Sequence, residues 1–276
     1  MIETSLDVTT RLVSSLTAAA DKYVVVVTGA GISLASGIPT FRGSDPDAVW
    51  SRDVTELGTF RFFQQDPVES WRWYLERFDG VVDKQPNPAH HALVELERWQ
   101  RAQGGEFLLV TQNVDPLHER AGSDALVKVH GSADRVRCVR DGCDFAAPNG
   151  SLARTDVDLA AFRHQPNTES LPRCPACGAL VRQHVLWFDE YYDGHTDYQW
   201  SRVRDAAARA DLILFVGTSF AVGVTNLFVQ AAVQRRVVSL SVDPGGVDAP
   251  HRWIHPLPEP AEMLLPNAVS RLQRTN

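Results

Sequence analysis

A chain of 276 residues holds one large domain, or one domain with a smaller module beside it. Its 44% apolar and 22% charged residues are usual for a globular protein, and its net charge of -7 argues against a nucleic-acid or membrane surface as the main partner. No apolar run approaches the roughly 20 residues of a membrane span, and the N-terminus lacks a basic start followed by an apolar core, so a cytoplasmic protein is expected.

In chain order, "YVVVVT" (23–28) is the first strand, too apolar to face water on either side. It runs into Gly29, Ala30 and Gly31, with a helix start expected at Ser33. Glycines that admit a pyrophosphate, followed by the free N–H groups of a helix N-terminus, make a phosphate-binding arrangement. Leu34 stands where a third glycine would complete G-x-G-x-x-G, and no acidic residue ends a following strand. Both a dinucleotide site and a structural turn therefore remain open on this loop alone, and an ordinary dehydrogenase is disfavoured. Residues 41–87 carry an aromatic-rich helical pattern without a strand. A helix at 88–103 leads to strands at 107–113 and 125–130. Residues 133–186 contain all four cysteines. Helices at 200–209 and 224–234 then alternate with strands at 212–219 and 236–243, and "EPAEMLLPNAVSRLQRTN" reads as a packing helix with a frayed end.

Strands alternating with helices predict an α/β fold: a Rossmann-like, doubly wound parallel sheet with a smaller composite domain. The expected division gives 1–40, 88–132 and 187–276 to the sheet domain. The small domain combines 41–87, a helical insertion, with 133–186, a metal-binding module. The cysteines read C-x4-C (Cys138, Cys143), thirty residues, then C-x2-C (Cys174, Cys177). Four thiolates at this spacing match a closed tetrahedral zinc site, structural because no coordination position stays open.

Six motifs recur in order: GAG-x-S at 29–33, GIP-x-FRG at 37–43, TQN-x-D at 111–115, His130-Gly131, the four cysteines, and GTS at 217–219. Together, over roughly residues 10–245, they resemble the sirtuin family of NAD-dependent protein deacylases. The resemblance implies NAD as cofactor and an acyl-lysine protein or peptide as partner. Asn113 and Asp115 would hold NAD and a water in the nicotinamide pocket, within a polar set that includes Gln112. His130 would be the general base, suited by a pKa near neutrality. In that reaction the acyl oxygen attacks the ribose as nicotinamide leaves. The base then frees a ribose hydroxyl to attack the resulting imidate, giving lysine and O-acyl-ADP-ribose.

The remaining NAD contacts implied are Gly29, Ala30, Gly31, Ser33, Ile38, Pro39, Thr40, Phe41 and Arg42, then Gly217, Thr218 and Ser219, and finally Ser241 and Asp243 on the adenosine side. Ser241 stands where the family usually has Asn. Thr40 replaces the usual Asp, as in the branch that removes acidic acyl groups. Tyr74 and Arg77, three apart on one helix face, match that branch's pair for an acyl carboxylate, though a core tyrosine and a solvated arginine would give the same spacing. His184, Val185, Trp187 and Phe188 fit the wall of the acyl-lysine tunnel. Two departures fall on peptide recognition: Asp189 replaces a glycine and puts a charge near the peptide path, and Gly223-Val224 replaces the end of a V-x-P pattern. They leave open an NAD glycohydrolase or ADP-ribosyltransferase on the same scaffold, and a nucleotide-binding module without turnover.

Overall fold

The computed structural model describes residues 5–40, 54–221, 223–245 and 250–274. Among them, nine strands follow in chain order: β1 (Tyr23–Thr28), β2 (Glu106–Thr111), β3 (Leu126–Lys128), β4 (Gly131–Cys138), β5 (Leu152–Ala153), β6 (Val181–Val185), β7 (Leu212–Val216), β8 (Val238–Val242) and β9 (Ile254–Leu257). Six form one parallel sheet in the order β3-β2-β1-β7-β8-β9. The chain winds outward from β1 through β2 and β3, then crosses to the other side for β7, β8 and β9. Strand order therefore reverses between β1 and β7, and open α/β sheets place their ligands outside the carboxyl ends at such a point.

The helices are α1 (Ser5–Ala18), α2 (Val54–Leu57), α3 (Phe60–Gln65), α4 (Pro67–Val82), α5 (Pro88–Ala102), α6 (Leu117–Ala121), α7 (Ala160–His164), α8 (Trp200–Arg209), α9 (Gly223–Arg235) and α10 (Ala261–Arg274). Successive strand residues feed opposite faces of the sheet. Val24, Val26, Leu109, Leu214 and Val216 pack with Leu12 and Leu16 of α1, Leu93 and Leu96 of α5, and Leu264 and Leu265 of α10. Val25, Val27, Leu108, Val110, Ile213 and Phe215 pack with Val203 and Ala206 of α8 and with Val224 and Phe228 of α9. A strand covered on both faces has no polar register to keep, which is why these runs read as continuous Val, Leu and Ile.

A second, antiparallel sheet runs β5-β4-β6. Its core joins Phe63, Trp71, Tyr74 and Phe78 from α3 and α4 to Val136, Val181 and Trp187. The Trp71 indole N–H donates to the Val181 carbonyl at 2.9 Å, tying α4 to β6. Trp187 packs in this core, one residue past the boundary at 186 expected from the sequence.

Three local differences have plain causes. The strands at 107–113 and 212–219 stop at Thr111 and Val216, because the polar ends leave the ladder to form the site. The helix expected to start at Ser33 is a 3-10 helix over Ala30–Ser36, closed by Gly37 at φ 76°. β9 was not among the expected strands: "IHPL" is four residues with a proline, on the sheet edge, and carries no apolar run.

Candidate active site

The polar residues that follow β1, β2, β3 and β7 converge at the switch point. Two loops nest there backbone to backbone: the Gly29 N–H donates to Val216 O at 3.0 Å and the Gly31 N–H to Gly217 O at 2.9 Å. A Cβ on Gly31 would stand 2.6 Å from Gly217 Cα, and Gly217 itself sits at φ 58°. The glycines are thus required for the β1 loop to seat on the β7 loop. The N–H groups of Gly29 and Gly31 are committed to this contact. We expect Gly217→Ala to add about 1–3 kcal/mol of strain and to weaken NAD binding, read by thermal unfolding and NAD titration. Gly80→Ala, at an exposed position with open space around it, is the control and should leave both unchanged or slightly raise stability.

Gln112 straps the two loops: its side-chain amide donates to Thr28 O at 3.1 Å and to Thr218 Oγ1 at 3.2 Å. Asn113 donates to Gly29 O at 3.1 Å and to Ser33 Oγ at 3.2 Å, and Ser33 donates in turn to Asp115 at 3.0 Å. Asp115 also accepts the Leu117 N–H at 3.1 Å. Burial raises the pKa of Asp115, with these two bonds acting against the rise. Asn113, Asp115, Ser33 and Thr218 are all buried, so this lattice is rigid. Hydroxyl, amide and carboxylate groups gathered at strand ends fit the ribose hydroxyls of a nucleotide, and NAD suits this donor set.

His130 follows β3. Its Nδ1 lies 2.8 Å from the Gln112 carbonyl, a contact that needs a proton on Nδ1 and leaves the lone pair on Nε2. Burial lowers the imidazole pKa, and the Gln112 carbonyl acts in the opposite sense. The next residue, Gly131, is at φ 77°, with no room for a Cβ against the His184 carbonyl. The sequence reading missed Tyr192. Its hydroxyl lies 3.3 Å from His130 Nε2 and its ring stacks on Trp200 at 4.3 Å. The hydroxyl also receives the Val224 N–H. The replacement of proline by Val224 was the available signal, since only a non-proline residue has that proton to give.

The segment after β6 hangs from the same point, the Leu186 N–H donating to His130 O at 2.9 Å. Val185 and Trp187 are buried, whereas Phe188 is 47% exposed. Asp189 does not lie free along a peptide path. Its carboxylate accepts the N–H groups of Phe60 at 2.7 Å and Arg61 at 3.1 Å, at the N-terminus of α3 where an anion is favoured. Glu190, another residue the sequence left unassigned, takes Arg137 at 2.6 Å, Arg182 and the Trp187 N–H at 3.0 Å. Arg182 also lies 3.2 Å over the Trp187 ring. His184, expected on the tunnel wall, instead packs its ring against His195 at 4.4 Å and Tyr198 at 5.6 Å. Burial pushes its pKa down to about 4.

Tyr74 is 3% exposed and lies 4.6 Å from the Trp73 ring and 6.1 Å from that of Trp187. Burial raises its pKa. Arg77, half-buried, donates to Trp73 O at 3.0 Å and stacks over the Trp73 ring at 4.1 Å; its Nε is buried with no hydrogen-bond partner among the described residues. Ile38 is buried with Pro39 and Thr40 half-buried beside it, while Phe41 and Arg42 lie outside the described residues. Ala30 is half-buried and Ser219 exposed in the facing loops. Ser241 is buried at the end of β8, and Asp243 accepts the Gly245 N–H at 2.9 Å.

Away from this site, Cys138 Sγ lies 3.5 Å from Cys177 Sγ and Cys143 Sγ 3.7 Å from Cys174 Sγ, with all four sulfurs within 4.8 Å. Thiolates about 2.3 Å from a zinc ion stand about 3.8 Å apart, so the set fits structural zinc.

A model of the Sir2 family matches residues 29–224. The chain belongs to the Sir2 family. This sirtuin is 45% identical over 199 residues to an NAD-dependent protein deacylase of Thermus thermophilus, covering 72% of this chain and 70% of that one. It is 34% identical over 286 residues to the mitochondrial NAD-dependent protein deacylase sirtuin-5 of Danio rerio, covering 95% and 88%. A crystal structure of a Sir2 homolog in complex with NAD superposes with a TM-score of 0.76 at 35% identity, covering 96% of this sirtuin and 94% of that chain.

Proposed function

We propose that this sirtuin is an NAD-dependent protein lysine deacylase that works on an acyl-lysine peptide, with acidic acyl groups favoured. The observation that carries the reading is His130 at the switch point, its Nδ1 tied to the Gln112 carbonyl and its Nε2 turned to the side where Tyr192 closes the site. NAD, when bound, supplies the glycosidic bond that is broken and the ribose that takes the acyl group. The chain's own residues do the rest. Asn113, Ser33 and Asp115 form a lattice already built before any ligand binds, which lowers the reorganisation required of it. His130 takes a proton at Nε2 from a ribose hydroxyl. Buried Trp187 and the stacked pair Tyr192 and Trp200 give the proposed acyl side an apolar wall. With Asp189 engaged on α3, its charge no longer argues against a peptide in the cleft.

The acidic-acyl preference rests on Arg77, whose buried Nε lacks a partner among the described residues and suits a carboxylate. Loss of a charged hydrogen bond of about 1.5–3 kcal/mol means that Arg77→Met should slow succinyl-lysine turnover roughly 10- to 100-fold and leave acetyl-lysine turnover unchanged. Faster acetyl than succinyl turnover in the wild type would end the acidic-acyl assignment. A cytoplasmic location suits four cysteines kept reduced for a metal.

Mass identification of products tests the main reading. With NAD and acyl-lysine peptide we expect O-acyl-ADP-ribose, nicotinamide and free lysine peptide. Free ADP-ribose without peptide would point to a glycohydrolase, and no nicotinamide under any condition would leave only a binding module.

A further inference from the structure

Asp197 Oδ2 lies 3.0 Å from His184 Nε2 and 3.7 Å from His195 Nδ1. Ligand atoms bound about 2.0–2.1 Å from a zinc ion in tetrahedral geometry stand about 3.3 Å apart; these two separations bracket that value, and one ligand atom from each of the three residues lies within 4.8 Å of the others. His184 Nε2 meets the Asp197 carboxylate at ion-pair distance but not along a hydrogen-bond direction; among the described residues neither buried ring nitrogen of His184 has an aligned hydrogen-bond partner, and the residue is 1% exposed. A buried imidazole with neither nitrogen satisfied calls for a further group.

The outer contacts are those of ligands held in place. His195 Nε2 lies 3.0 Å from the Gly150 carbonyl, which fixes the proton there and leaves the lone pair on Nδ1. That lone pair now accepts the Asp197 N–H at 3.1 Å, the one bond a metal would replace. Asp197 is oriented by Ser151 at 2.9 Å, itself held by Arg135. Of the nearby cations, Arg137 and Arg182 are paired with Glu190, Lys128 is paired with Glu119, and Arg135 is bonded to Ser151. One direction stays open, because Asp197 faces a surface depression bordered by Lys128, Ser132 and Gln199, from which solvent could supply a fourth ligand.

We propose that His184, His195 and Asp197 form a second divalent transition-metal site, separate from the cysteine site. His184 ends β6 and His195 opens the turn that precedes α8. The ligands therefore bracket residues 185–194, which carry Trp187, Phe188, Asp189 and Tyr192. An ion there clamps both ends of the segment that lines the acyl-lysine side of the cleft.

The test counts metal and does not depend on the deacylation reading. The full chain is incubated with excess ZnCl2, freed of unbound ion by gel filtration, and assayed by atomic emission. We expect two zinc ions per chain in the wild type and one in His195→Ala and in Asp197→Asn. Cobalt in place of zinc should add weak d–d bands, without thiolate charge transfer, that both variants lose. One zinc per wild-type chain, or two in both variants, overturns the site. If His195→Ala fails to fold by far-UV circular dichroism, Asp197→Asn, which keeps shape and volume, decides alone.

Discussion

Replacing His130 with alanine is expected to cut acyl transfer by about 10²–10⁴-fold and to leave the chain folded. The side chain sits at a strand end and, among the described residues, makes two polar contacts, to the Gln112 carbonyl and the Tyr192 hydroxyl. Neither the β3 ladder nor the sheet cores depend on it, so the melting temperature should hardly move while product formation collapses. The same geometry predicts the acid limb of the pH profile. A base acts only when neutral, and burial lowers the His130 pKa below its ordinary value. In the free enzyme kcat/KM should therefore rise as pH climbs through a point below about 6.5 and level off by neutrality. Wild-type turnover in His130→Ala, or an acid limb centred above the ordinary histidine value, would remove His130 from the mechanism.

Loss of the cysteine-bound zinc should unfold the small domain and leave the parallel sheet largely intact. Cys138 and Cys174 are buried in the same core as Val136, Leu171, Val181 and Trp187, so the ion sits against the packing it stabilises. Zinc bound by four thiolates contributes on the order of 10 kcal/mol, as much as a whole domain's net stability. Without the ion, four sulfurs this close cannot all be charged: burial pushes the Cys138 thiol up to about 12, while the Ala179 N–H helps draw Cys177 down to about 7. We expect Cys177→Ser, or chelation followed by zinc counting, to release the Trp71, Trp73 and Trp187 fluorescence signals of packed indoles. Most of the far-UV helical signal should remain, since α1, α5, α8, α9 and α10 belong to the sheet domain. Activity should fall as well, because Trp187 of that core belongs to the segment proposed to line the acyl-lysine side. Unchanged fluorescence and activity after complete zinc removal would show that the module stands without it.

Much of this molecule is legible in one dimension. Runs such as "YVVVVT" and "LILFV" determine their own burial, because a strand with apolar residues on both sides has nowhere to go but the middle of a covered sheet. The cysteine spacing determines a metal knuckle, because few other arrangements use thiols in close pairs at those intervals. His130-Gly131 and the Gln112, Asn113, Asp115 triplet are legible as short motifs, although most of their side-chain partners, Thr28, Gly29, Ser33, Thr218 and Tyr192, come from distant parts of the chain. Only the tertiary structure decided what long-range packing does with the remaining polar atoms. It spent the N–H groups of Gly29 and Gly31 on the β7 loop, placed the Asp189 carboxylate on the start of α3, and set Tyr192 beside His130. It also turned His184 toward His195 and Asp197. A side chain's charge and shape are written in the sequence. The donor or acceptor that claims it depends on which backbone, often more than a hundred residues away, the folded sheet brings within about three ångströms.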